Sequence, residues 1–147
     1  RDIEEVFDIN FYAPTLLSKY LIKAKRIPKG ASIVFLSSID GPVTAHHANS
    51  IYAASKGAVS AMAKSMAMDL VSKKIRVNCV LPGMTETPLI HGEAFTDDDL
   101  EKDKNQYPLK RYGRPEEIAW AIIYFLSDAS GFTTGAGLVV DGGFTVL

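Results

Sequence analysis

Ile33-Val34-Phe35-Leu36-Ser37-Ser38 is the stretch that decides the fold. Four apolar residues, β-branched and aromatic among them, form a run too short for a buried helix. It ends in two small hydroxyl residues. Such a run reads as a strand buried on both faces, the kind found in parallel sheets. Working outward, residues from about Ser50 to Lys74 are rich in Ala, Met, Ser and Lys, which predicts a long helix. Residues 75–81 alternate again and stop at Pro82-Gly83, a second strand. Leu138-Val139-Val140, closed by Asp141-Gly142-Gly143, is a third.

The helical segments lie between and around these strands. Asp2 and Glu5 mark a helix start, and Ile3, Val6, Phe7, Leu17, Leu21 and Ile22 carry its apolar period to Lys25. Pro14 interrupts it. Residues 84–108 read as irregular, with a short helix from Thr96 whose first turn holds Asp97, Asp98 and Asp99. That acidic run suits a helix dipole better than a metal, because the alternating ligands of a calcium loop are absent. Pro115-Glu116-Glu117 opens a further helix, with Ile118, Ala119, Ile122, Ile123 and Leu126 on its buried face. Helix, strand, helix, strand, loop, helix, strand is the order of an α/β protein with a parallel sheet covered by helices on both faces.

Composition narrows the function. The 147 residues are 47% hydrophobic with a net charge of −1. One domain, 1–147, is expected. No basic cluster points to nucleic acid, and the apolar runs fall far below the ~18 residues of a membrane span. The single cysteine, Cys79, falls in an alternating strand and is expected to pack as a small hydrophobe, compatible with a reducing cytoplasm. The chain begins with Arg1 and opens directly in a helical pattern, which suggests a truncated parent.

Tyr52 and Lys56 lie four apart on the long helix, on one face. A phenol ordinarily titrates near ~10, and a neighbouring ammonium favours its ionised form, so the pair is a candidate tuned acid/base. A packed tyrosine beside a solvent-facing lysine has the same spacing. Ser38 ends a parallel strand, where ligands of open sheets bind, although a turn serine fits the same place. Pro14 lacks an N–H, so the carbonyl four residues back, that of Asn10, leaves the helix ladder and can accept from water or Lys56. A simple kink with a solvated carbonyl is the plainer alternative. His46 and His47 lack clustered partner ligands, so no metal site is expected there. Gly131, Gly135 and Gly137 have the spacing of a phosphate-binding turn but follow a helix and precede a strand, the wrong order for a helix start to face a phosphate.

Asn10, Ser37-Ser38-Ile39-Asp40-Gly41, Tyr52-Ala53-Ala54-Ser55-Lys56, Pro82-Gly83-Met84-Thr85-Glu86-Thr87, Gly113-Arg114-Pro115-Glu116-Glu117-Ile118-Ala119 and Thr134-Gly135 through Gly143, in that order, resemble the short-chain dehydrogenase/reductase family. The resemblance implies a Rossmann-like fold, here a truncated version with about three strands. It implies an NAD(P)-dependent oxidoreductase moving hydride between nicotinamide and a carbonyl or alcohol. Tyr52 would be the general acid or base. Lys56 would lower its pKa and hold the nicotinamide ribose. Ser38, rather than Ser37, would position the substrate oxygen, and Asn10 would hold a water leading to Lys56. Pro82, Gly83, Thr85 and Thr87 would line the nicotinamide end of NAD or NADP, and about Ile90 to Tyr107 would form a mobile substrate loop. The substrate would be a small carbonyl or alcohol compound, with 3-oxoacyl-carrier-protein reduction or sugar, polyol or steroid alcohol oxidation as candidates. Helices 3–25 and 50–74 would form a homodimer or homotetramer.

The family's opening strand and glycine-rich turn are not in this sequence. About 100 residues of a domain of roughly 250 are therefore expected to be missing, leaving strands five, six and seven of a 3-2-1-4-5-6-7 sheet. The first strand would then expose an edge. The alternative is a catalytically inactive fragment or degenerate relative that serves only in folding or oligomerisation. An intact Asn10, Ser38, Tyr52 and Lys56 set argues against degeneracy.

Overall fold

The computed structural model describes residues 2–88, 90 and 96–146. Three parallel strands, β1 (Ser32–Leu36), β2 (Arg76–Pro82) and β3 (Gly137–Val140), form one sheet in the order β1-β2-β3. Val34 faces Asn78 across the first pairing, and Val80 faces Leu138 across the second. The helices are α1 (Ile3–Phe7), α2 (Ala13–Lys23), α3 (Ser50–Leu70), α4 (Asp97–Lys104) and α5 (Pro115–Leu126).

β2 is the centre of the core because its side chains alternate between faces. Val77, Cys79 and Leu81 pack with Val59, Ala63, Ala67 and Leu70 of α3. Those four helix residues recur at i, i+4, i+8 and i+11, one continuous stripe. Val80 packs on the opposite side with Ile118, Ala121 and Phe125 of α5. Fully burying a Val or Phe of this kind contributes ~1.5–3 kcal/mol. Cys79 is buried, and burial pushes its thiol up to about 11, so it stays protonated and inert. Asn78, also wholly buried, donates to the Thr133 carbonyl and accepts from the Ala136 N–H, both at 3.0 Å, which ties down the chain entering β3.

A third cluster, Ile90, Leu100, Tyr107 and Tyr112, with Met84 and Phe144 against it, walls off the end of the sheet where the strands finish. α4 starts where expected, at Thr96, with a capping box in which Thr96 and Asp99 bond each other's backbone N–H. α5 starts at Pro115, and the Glu117 side chain accepts from the Arg114 N–H at 2.8 Å and from both arms of Arg111.

The boundaries differ from expectation in four places. The first helix is not continuous over 3–25: a π-helical turn, Asp8–Tyr12, separates α1 from α2. Pro14 has no N–H to offer Asn10, and the ladder widens by one residue upstream, Ala13 N–H reaching the Asp8 carbonyl. α3 ends at Leu70 and continues as a short 3₁₀ turn to Lys73, closed by Lys74 at φ 57°. The middle strand runs one residue further, to Pro82, and the first ends at Leu36, before the two serines. Of the expected buried face of α5, Ile118 is core and Ile122 half-buried, but Ala119, Ile123 and Leu126 are exposed, and Ala121 and Phe125 are buried instead. Among the described residues β1 is paired on one side alone, and Leu36 is half exposed.

Candidate active site

The carboxyl ends of β1 and β2 open beside the first turns of α3. Pairing outlasts β1: Ser37 N–H reaches the Val80 carbonyl at 2.9 Å and Ile39 N–H the Pro82 carbonyl at 3.0 Å. Both serines are buried. Their side chains have different tasks. Ser37 Oγ donates to the Lys56 carbonyl at 2.9 Å and accepts from Ser60 Oγ at 2.8 Å, so it fastens α3 to the sheet. Ser38 Oγ accepts from the Asp40 N–H at 3.1 Å and stands near enough to the Tyr52 phenol to lower its pKa.

Tyr52 is half-buried. Burial raises its pKa above the ordinary 10.0, the Ser38 hydroxyl works against that, and the Asp40 charge adds to it. Lys56 Nζ donates to the Leu36 carbonyl at 3.1 Å and lies 5.7 Å from the Tyr52 ring centroid. Burial lowers the pKa of Lys56. No carboxylate among the described residues pairs with this ammonium, and its bond to Leu36 uses one of its three N–H donors.

Asn10 reaches the site through its side chain. Its Nδ2 donates to Ser55 Oγ at 3.0 Å, and Ser55 Oγ donates to the Tyr52 carbonyl at 2.7 Å. The structure thus joins Asn10 to the helix turn carrying Tyr52 and Lys56. Pro82 ends β2, and Gly83 N–H bonds the Val140 carbonyl at 3.0 Å. Gly83 packs against the chain after β3, where an added Cβ would meet Asp141 at 3.0 Å. Thr85 donates to the Gly83 carbonyl at 3.1 Å and bridges to Gly113, and Thr87 is half-buried beyond it. Of the expected substrate loop, residues 91–95 lie outside the described residues, while α4 folds onto Tyr112 through Leu100.

The sequence reading missed three residues. Ser55 is wholly buried, and its place three after Tyr52 on a helix was a usable signal, since a serine can bond back to the i−3 carbonyl. Asp40 and Asn49, paired through the Asn49 amide, carried no periodic signal. His46 stacks on Phe144, ring centroids 5.5 Å apart, with Nδ1 3.5 Å from Asp40 Oδ1. Among the described residues no group of three or more His, Cys, Asp or Glu is placed to hold a metal ion.

A family profile described as enoyl-(acyl carrier protein) reductase matches residues 1–145. The chain belongs to the short-chain dehydrogenase/reductase family. Its Rossmann-like sheet is that of the family's solved members. It is 35% identical over 150 residues to the 3-oxoacyl-[acyl-carrier-protein] reductase FabG of Thermotoga maritima, covering 99% of this chain and 58% of the reductase. It is 44% identical over 124 residues to an NADP-dependent (R)-specific alcohol dehydrogenase of Lentilactobacillus kefiri, covering 79% of this chain and 46% of that protein. Among solved structures, 4-hydroxyisoleucine dehydrogenase complexed with NADH superposes with a TM-score of 0.89 at 33% identity, covering 99% of this chain and 60% of that one. Both nicotinamide nucleotides therefore occur among these short-chain dehydrogenase relatives. The chain spans between 42% and 61% of the length of these curated relatives.

Proposed function

We propose that the whole protein is an NAD(P)-dependent oxidoreductase acting on a carbonyl or alcohol, with residues 1–147 as its catalytic unit. One observation carries this reading: the Tyr52 phenol meets the Ser38 hydroxyl at the carboxyl ends of the strands, with the Lys56 ammonium one helical turn further on. A phenol, a hydroxyl and an ammonium are the donor set that a carbonyl oxygen and a ribose require. The Lys56 N–H donors not used on Leu36 suit ribose hydroxyls, and Pro82, Gly83, Thr85 and Thr87 would flank the nicotinamide.

Nicotinamide, when bound, supplies or accepts the hydride. In the reducing direction Ser38 donates a hydrogen bond to the substrate carbonyl oxygen. Tyr52 transfers its phenolic proton to that oxygen as the carbon becomes an alcohol carbon. Tyr52 carries its proton at neutral pH, as the donor in reduction must. Lys56 stands against the ring that becomes phenolate. The Ser37–Lys56 and Asn10–Ser55–Tyr52 bonds hold the turn in place.

Within this class, 3-oxoacyl-carrier-protein reduction is one candidate, and sugar, polyol or steroid alcohol oxidation the other. Exposed apolar side chains on α2 (Leu16, Leu17 and Tyr20) and on α5 (Trp120 and Ile123) suit homo-oligomer faces. The buried free thiol suits a reducing compartment such as the cytoplasm. The unpaired side of β1 favours one further proposal, that residues 1–147 alone bind cofactor weakly and are inactive. Among the described residues no helix is long and apolar enough to cross a membrane. The test is Tyr52→Phe in the whole enzyme. Turnover should fall by at least ~10²-fold; near-normal turnover would overturn the assignment.

A further inference from the structure

Asp40 lies two residues past Ser38 and is 3% exposed. Its carboxylate is held on one side alone. Oδ2 accepts from the Asn49 side-chain amide. Oδ1 has no hydrogen-bond partner among the described residues and lies 3.5 Å from His46 Nδ1. A buried carboxylate with an open oxygen is costly to keep. A polar or apolar residue of similar size would fill the space without that cost.

We propose that Asp40 is a positioning residue for Ser38 and Tyr52: its backbone N–H orients the serine hydroxyl, and its buried side chain, held by Asn49, ties the loop carrying Ser38 to the turn carrying Tyr52 and sets a carboxylate beside them. This rests on Tyr52 being the proton donor. The Asp40 N–H occupies one lone pair of Ser38 Oγ, which leaves the hydroxyl hydrogen to point at the phenol or the substrate. Asn49 is the residue preceding α3 and makes no side-chain bond to its own helix; its amide goes to Asp40. That bond ties the turn carrying Tyr52 to the loop carrying Ser38. Gly41, at φ 99°, lets the same loop approach α3 from the next position, since a Cβ there would stand 2.1 Å from the Ala53 carbonyl oxygen. The charged and titratable groups around Tyr52 are Asp40, His46 against Asp40, and Lys56 against the ring. A like charge beside a phenolate disfavours it.

The test is the pH dependence of alcohol oxidation by the whole enzyme, since oxidation requires the phenolate. Asp40→Asn keeps the shape and removes the charge, and the ascending limb of the profile should move to lower pH. Asp40→Glu should return the limb to the parent position. Asp40→Ala should also lose about tenfold in kcat with KM nearly unchanged, the size of one hydrogen bond's worth of misplacement. An unmoved limb in Asp40→Asn, with Tyr52→Phe inactive, would overturn the role of Asp40 and leave Tyr52 in place. Should Tyr52→Phe keep its turnover, both readings fall together. Should Asp40→Asn not fold, Asn49→Ala carries the test: kcat lowered with the limb in place supports the tether, and an unchanged kcat overturns it.

Discussion

Asn10 and Ser55, 45 residues apart in sequence, are joined by a 3.0 Å hydrogen bond from the asparagine amide to the serine hydroxyl. Ser55 in turn donates to the carbonyl of Tyr52. A residue in a π-helical turn thereby steadies the helix turn that carries the proposed acid. Asn10→Ala leaves the wholly buried Ser55 oxygen with one bond fewer. The expected outcome is a loss of about 1 kcal/mol in unfolding free energy, read from urea denaturation. Turnover of the whole enzyme should fall as well. Unchanged stability would show that the bond is incidental.

Pro14 is the cause assigned to the π-helical turn, and that assignment can be checked. Pro14→Ala restores the N–H that the Asn10 carbonyl lacks in an α-helical ladder. The turn at Asp8–Tyr12 should then close to α geometry, which rotates Asn10 away from Ser55. Amide hydrogen exchange should slow across residues 8–15, while whole-enzyme turnover falls. Retention of the π turn in a structure of the variant would mean that packing against α3, not Pro14, sets it.

Gly41 is the position where a side chain is least tolerable. Its φ is 99°, and a Cβ would stand 2.1 Å from the Ala53 carbonyl oxygen. Gly41→Ala must push the loop off α3. Left-handed strain of this kind costs about 1–3 kcal/mol before the clash is counted. The thermal midpoint should drop by several degrees and activity should drop with it. By contrast, Gly57→Ala meets nothing within 4 Å and lies inside a helix, so it should be neutral or stabilising.

Alkaline pH should weaken the fold. Burial raises the pKa of Tyr52, of Tyr107 and of Tyr112, the last aided by its hydrogen bond to the Asp103 carboxylate. Each keeps its proton in the folded state above the ordinary 10.0, where the unfolded chain has lost it. The unfolded state then binds fewer protons, so stability falls as pH rises. The contribution is fully present below pH 10 and is lost above it. Denaturation midpoints should be flat from neutrality to just below that pH and then decline. Tyr112→Phe should flatten part of the decline; a decline identical to that of the parent would place its origin elsewhere.

Strand-to-helix order and the pair Tyr52–Lys56 were legible because both depend on local spacing. Four apolar residues before Ser37 suffice for a buried strand, and a four-residue interval puts two side chains on one helix face. The cap at Thr96 and the start at Pro115 were legible for the same reason. The π-helical turn was half legible: Pro14 announces a missing bond but not whether the ladder breaks, bends or widens.

By itself, then, the sequence determined the α/β alternation, the parallel sheet and the set Asn10, Ser38, Tyr52 and Lys56 as residues to watch. Tertiary structure alone decided what each of them touches. Lys56 lies against Leu36 and the Tyr52 ring, the Asn10 amide bonds Ser55, and Asp40 comes to rest buried against Ser38. The reason is range. Helix and strand periods act over a few residues, whereas burial and charge at Tyr52 come from a loop that arrives only once α3 has packed on the sheet.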